Sequence, residues 1–154
     1  MGKIDKRLAE LGVVLPTPMK PVANYVPWVR TGNLVFISGQ GAVVDGKIQF
    51  AGKLGGTVSM EDGIKSARLT GINVLAQLRE ACGGDLDRVK RVVKLLGFVN
   101  ATADFADHPK IINGASDLMV EVFGEKGRHA RSAVASPSLP FNLSVEIEAI
   151  VEIE

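Results

Sequence analysis

SVEIEAIVEIE, Ser144 to Glu154, alternates strictly: Val145, Ile147, Ala149, Val151 and Ile153 fall on one face, and Ser144, Glu146, Glu148, Ile150 and Glu152 on the other. A period of two is the mark of a β-strand with one face in a core. Antiparallel sheets often leave the opposite face to water. Glu146 and Glu148 are therefore either solvating side chains or, for one of them, a group that acts on a ligand.

Upstream lies RSAVAS (Arg131–Ser136), a second strand, joined to the first by the turn SPSLP. Before it, Asp107 caps a helix with Pro109 in its first turn. Ile111, Ile112, Ala115, Leu118, Met119, Val122 and Phe123 form its apolar stripe, and Gly124 ends it. RVKRVVKLLGFVN (Arg88–Asn100) is a further strand. A long helix capped by Thr57 or Ser59 runs to about Glu80, carries Ile64, Ala67, Ile72, Leu75 and Leu78 at helical spacing, and stops at Gly83-Gly84. NLVFISGQ (Asn33–Gln40) is a strand opened by the turn Thr31-Gly32, and VVDGKIQF folds as a hairpin on Asp45-Gly46. Pro16, Pro18 and Pro21 make an extended entry segment. Residues 3–11 form a short amphipathic helix with Ile4, Leu8 and Leu11 on one side.

The order β-β-α-β-α-β-β predicts an α+β fold, a mixed or antiparallel sheet with helices on one face. Residues 1–154 make one domain, with 1–20 as an N-terminal extension. Two strands break simple amphipathicity. Leu34 and Phe36 oppose Val35 and Ile37, and Val93, Leu95 and Val99 oppose Leu96 and Phe98. Two helices cover one face only, so the other face is expected to be buried against further copies of the chain.

Composition narrows the function. A net charge of +1 gives no electrostatic footprint for nucleic acid or anionic membrane, and 5% aromatic residues are too few for a base-stacking platform. The single cysteine, Cys82, excludes an internal disulfide and a cysteine-rich zinc cluster, and reads as a small buried apolar residue. The N-terminus lacks the apolar core of a signal peptide, and no apolar run approaches the roughly 18 residues of a membrane span. The expected location is cytoplasmic. His108 and His129 flank helix ends without metal-ligand spacing and read as surface residues; no metal site and no cofactor is expected. Gly39-Gln-Gly41 and Gly52-Lys-Leu-Gly-Gly match no phosphate-loop pattern and read as turns.

Four residues carry candidate chemistry. Arg131 opens its strand and could fork two hydrogen bonds onto a carboxylate, or be a surface arginine. Glu146 could orient or deprotonate a water, or simply solvate the sheet. Tyr25, the only tyrosine, lies beside Trp28 in ANYVPWV and either lines a pocket or packs. Asn113, among apolar residues in INGAS, needs partners if buried.

Together, ANYVPWVRTGNLVFISGQ, the INGAS helix and ARSAVASPSLPFNLSVEIEAIVEIE resemble the RidA (YjgF-type) family, also called L-PSP endoribonucleases, over roughly residues 20–153. The resemblance implies a chorismate-mutase-like fold, a homotrimer with clefts between subunits, and deamination of 2-imino/2-enamino acids to 2-oxo acids without a cofactor. By position it makes Arg131 the clamp for the substrate carboxylate and Glu146 the acid that holds the attacking water. Tyr25 and Asn113 become cleft residues, and Ser38 and Gly39 the strand end facing the pocket. Ala133 stands where many active members carry cysteine, and Ala23-Asn24 where Gly-Pro is usual. Two other readings stay open: a non-catalytic module that senses a small carboxylate, and RNA cleavage.

Overall fold

The computed structural model describes residues 1–18 and 20–154. Its elements in chain order are α1 (Lys3–Glu10), β1 (Trp28–Thr31), β2 (Leu34–Gly41), β3 (Val43–Val44), β4 (Lys47–Ile48), α2 (Met60–Ala81), β5 (Val89–Asn100), α3 (His108–Phe123), β6 (Ala130–Ser136) and β7 (Val145–Ile153). The sheet order is β1-β2-β7-β5-β6, and β3 and β4 form a separate small hairpin. The alternating C-terminal stretch is thus the central strand. β5 and β6 run parallel; every other neighbouring pair in the main sheet is antiparallel.

The inward parity of β7 is buried from Val145 to Ile153. It meets Val35 and Ile37 of β2 and Leu95 and Val99 of β5 in one apolar cluster. α2 and α3 lie over this face. Gly71 brings them close, since a Cβ there would stand 3.1 Å from Leu118 and 3.3 Å from Ala115. Ser59 caps α2 by accepting from the Asp62 amide at 3.1 Å. Asp107 precedes α3 as expected but makes no capping bond; it pairs with Lys110 at 3.5 Å instead.

β1, a four-residue strand directly after Pro27, has no sequence signature of its own. It is too short for periodicity to register, and antiparallel pairing with β2 makes it a strand. The opposite face of the sheet is left open in the single chain. Val29, Phe36 and Val134 are exposed there, and Leu96, Phe98 and Ile150 half-buried, so the second apolar parity of β2 and β5 lies on this uncovered face.

The N-terminal segment is a third helical layer. Leu8, Val13 and Leu15 join the main core, and α1 contacts α3. Gly2 precedes α1 and offers no side-chain cap, so Asp87 supplies one from across the chain, accepting from the Lys3 and Ile4 amides at 2.9 and 2.8 Å. These amide bonds hold its carboxyl below the usual range. A depressed folded-state value means the anchorage is complete above the ordinary carboxylate range and is lost as pH falls through the lowered one. Asp87→Asn is expected to speed amide exchange and proteolysis within residues 1–15 at neutral pH while the sheet stays protected. Equal protection in both proteins would show that the cap does not anchor α1.

Candidate functional site

Chemistry-bearing side chains gather at two places. The first begins with an irregularity in β2. Ile37 pairs with Ala149 and Gln40 with Ile147, so one extra residue is accommodated at Ser38-Gly39, a β-bulge of the kind that re-aims side chains at sheet ends. The bulge puts Gly39 against Glu146 of β7. A Cβ on Gly39 would stand 2.9 Å from the Glu146 carboxyl carbon and 3.0 Å from Oε1, so the missing side chain makes room for the carboxylate.

Glu146 lines a cleft of about 220 Å³ with Tyr25, Pro27, Gly39, Asn73 and Phe141. Among the described residues, none donates a hydrogen bond or forms an ion pair with its carboxylate. Burial, and then the like charge of Glu148, raises its pKa above the ordinary glutamate value. It is a half-buried acid facing a mostly apolar hollow, with its oxygens free for water or a ligand.

The far wall is the β6–β7 connection, where Phe141 and Asn142 both take left-handed backbone conformations, φ 57° and 59°. A partly buried network holds that turn. The Asn100 amide donates to the Leu143 carbonyl at 3.0 Å and contacts Asn142 Oδ1 at 3.4 Å, while Lys53 Nζ donates to Asn100 Oδ1 at 2.8 Å and to the Pro137 carbonyl. The Gly52–Gly56 turn region thus braces the cleft through Lys53. On the near side Asn73 of α2 donates to the Gly41 and Val43 carbonyls at 2.8 and 3.0 Å, which ties the helix to the strand end. Lys53, Asn73 and Asn100 carry no sequence signal, because an isolated polar residue on a turn, a helix or a strand end adds nothing to a periodic pattern.

Gly39→Ala is sterically informative. The φ of Gly39 is not in the left-handed region, so alanine fits the backbone, and the atoms its methyl group meets first belong to the Glu146 side chain. The expected result is a rotated Glu146 and a loss of about tenfold to a hundredfold in any reaction that carboxylate serves, with little change in Tm. Full activity with an unmoved Glu146 would contradict this account.

The second place is the helix side of edge strand β6. Arg131 pairs in register with buried Leu95 and reaches α3. Its Nη1 donates to Asn113 Oδ1 at 2.7 Å and to Ser116 Oγ at 3.2 Å. Both Nη1 protons are thereby used, which leaves Nε–H and Nη2, the side-on edge that matches a carboxylate. Arg131 forms no ion pair among the described residues. Asn113 is exposed rather than buried, and its partner is Arg131. Ala133 lies on the same parity as Arg131, packed against the core. His129, read from sequence as a surface residue, is half-buried and contacts Ser116 Oγ at 2.9 Å. His108 is likewise drawn in, edge-on to Phe105 with ring centroids 5.4 Å apart.

The expected site residues therefore fall into two sets. Tyr25, Gly39 and Glu146 share a cleft, and Arg131 and Asn113 share a bond. Glu146 pairs with Phe98 on the open face of the sheet, whereas Arg131 is on the helix-covered face, so one chain does not bring them together. Ser38 joins neither set; its hydroxyl donates to the Val26 carbonyl at 2.9 Å, and it borders a shallow depression on the open face with Phe36, Leu96 and Glu148. Among the described residues no cluster of His, Cys, Asp and Glu could hold a metal ion, and no helix is long and apolar enough to cross a membrane. Cys82 is buried and its thiol pKa raised chiefly by that burial.

Comparison with known proteins covers nearly the whole chain. The family described as "YjgF/chorismate mutase-like, putative endoribonuclease" matches residues 5–153. Protein TCP17 of Trypanosoma cruzi is 43% identical over 153 residues, 99% of this chain and 95% of that one. The crystal structure of Atu1372 from Agrobacterium tumefaciens superposes with a TM-score of 0.92 at 48% identity, covering 98% of this chain and 92% of that one. E. coli TdcF, crystallised with bound serine, superposes with a TM-score of 0.64 at 26% identity over 90% of this chain and 94% of its own.

Proposed function

This chain belongs to the YjgF/chorismate mutase-like family, and from that premise we propose that it is a deaminase converting 2-imino/2-enamino acids to 2-oxo acids and ammonia. The observation that carries the reading is the state of Arg131. A guanidinium fixed through Nη1 to two neutral side chains, with no carboxylate partner and no bond on its bidentate edge among the described residues, is suited to receive an anion. A 2-imino acid offers a carboxylate beside an electrophilic carbon. That a relative, TdcF, holds serine supports a small carboxylate ligand.

Arg131 of one copy docks the substrate carboxylate at the mouth of a neighbour's cleft, where Glu146 holds a water. The water oxygen adds to the imine carbon, the C=N π electrons move to nitrogen, and Glu146 takes a proton from the water. Glu146 returns that proton to nitrogen. Glu146 then takes the carbinol proton and passes it to nitrogen, so that the C–N bond breaks as the O–H electrons form the carbonyl, and ammonia departs with the 2-oxo acid. The placement of the pair on opposite faces calls for an assembly of copies, and the open apolar face of Val29, Phe36 and Val134 supports self-association, which the family resemblance makes a homotrimer. Tyr25, half-exposed at the cleft, and Ser38, on the open face, gain cover in that assembly. RNA cleavage draws little support: neither histidine lines the cleft.

The test generates 2-iminobutanoate with a dehydratase and follows 2-oxobutanoate. The protein is expected to accelerate its appearance over spontaneous hydrolysis. No acceleration across a panel of imino acids, with 2-oxobutanoate still bound in calorimetry, would leave a carboxylate-binding module.

A further inference from the structure

The bonds behind Arg131 continue into α3 and the turn before β6. Ser116 Oγ lies 3.2 Å from Arg131 Nη1 and 2.9 Å from His129 Nε2, and His129 Nδ1 lies 2.6 Å from the Gly127 carbonyl. A carbonyl can only accept, so Nδ1 carries the proton. In the neutral ring Nε2 is then an acceptor, and the Ser116 hydroxyl donates to it. That direction leaves the serine lone pairs for Arg131. The chain has one consistent polarity from the Gly127 carbonyl to the guanidinium.

We infer that Ser116 and His129 are positioning residues for the carboxylate clamp: His129 fixes the direction of the Ser116 hydroxyl, so that oxygen rather than hydrogen faces Arg131. Without that acceptor, the hydroxyl is free to rotate toward other partners, and its oxygen is no longer held on Arg131. The guanidinium would keep one fixed contact, to Asn113, and could pivot about it. With both contacts, its Nε/Nη2 edge is held in one direction, and less ordering remains for the substrate to impose. This inference rests on Arg131 serving as the clamp.

The charges around the ring agree. Burial lowers the His129 pKa, the bond to Gly127 opposes that, and Arg131 lowers it further. On the flanking turn, the Arg128 guanidinium is directed to Glu125 at 3.0 Å. From α3 the ring meets the uncharged Ser116. The ring is therefore neutral at physiological pH, as the relay requires.

Two measurements test the relay. In the free protein, long-range proton–nitrogen NMR is expected to show His129 as the Nδ1–H tautomer, with a pKa that rises in Arg131→Gln. The other tautomer, or an unmoved pKa, overturns the inference. In steady-state assays with 2-iminobutanoate, Ser116→Ala and His129→Phe are expected to raise KM about fivefold to tenfold, the size of one ordinary hydrogen bond and less than the loss of the guanidinium itself, with kcat little changed. His129→Gln, whose amide oxygen can accept the serine hydroxyl, is expected to recover most of the affinity. Unchanged KM in both impaired variants overturns the relay and leaves the deaminase reading intact. Should the wild type turn over no imine, yet bind 2-oxobutanoate more tightly than Ser116→Ala does, the deaminase reading falls and the relay stands.

Discussion

Arg131→Ala is expected to lower kcat/KM for 2-imino acids by about tenfold to a hundredfold, because hydrogen bonds to a charged group are worth roughly 1.5–3 kcal/mol. The loss should appear mainly in KM, since the carboxylate is held in the ground state and the transition state alike. Folding should tolerate the change: Asn113 is exposed and Ser116 half-buried, so water can replace the guanidinium at both. Arg131→Lys is the sharper variant. A single ammonium that keeps the Asn113 and Ser116 bonds has no second edge to present, and one that turns to the substrate abandons its anchors. Lysine should therefore retain only a small part of the affinity. Wild-type KM in Arg131→Lys, read from initial rates, would mean that charge alone suffices and that the open edge is not the recognition element.

The fold was largely legible because its main signals are local. The period of two in Val145–Ile153, the helical stripe from Ile111 to Phe123 and the Asp45-Gly46 turn each mark their element without outside help. The doubly apolar β2 and β5 marked a second hydrophobic face on the sheet. What stayed hidden depends on pairings distant in sequence. β1 is a strand only because β2 lies beside it, and α1 is capped by a carboxylate 84 residues away from Lys3. The candidate site divides in the same way. Arg131 and Glu146 could be singled out by position, and Gly39 by resemblance. The opposite faces they occupy follow from strand register, which no single segment encodes. His129 shows the limit most plainly: a residue with no motif around it becomes half-buried because the turn at Gly127 folds its ring back against Ser116.

Glu146→Gln is expected to have the larger effect on turnover. Glutamine keeps the shape beside Gly39 but cannot take a proton from water, so kcat should fall by about a hundredfold or more, within the range for loss of a general base, while KM changes little. The change should not harm stability, because it removes a half-buried charge that no described residue compensates. The pH profile supplies an independent check. The working form is the carboxylate, and its pKa is raised by burial and by Glu148. Activity should therefore fall as pH drops through a value above that of an ordinary glutamate, and Glu148→Gln should move this acid limb to lower pH by removing the like charge. Mixing the two disabled proteins then tests the shared site directly. In a ring whose clefts each take Arg131 from one copy and Glu146 from the next, random exchange of Arg131→Ala and Glu146→Gln subunits leaves about a quarter of the clefts with both groups intact. Recovery toward that fraction after co-refolding would require that the two residues meet between copies. No recovery, in mixtures shown by mass spectrometry to exchange subunits, would mean that Arg131 and Glu146 never serve the same substrate molecule.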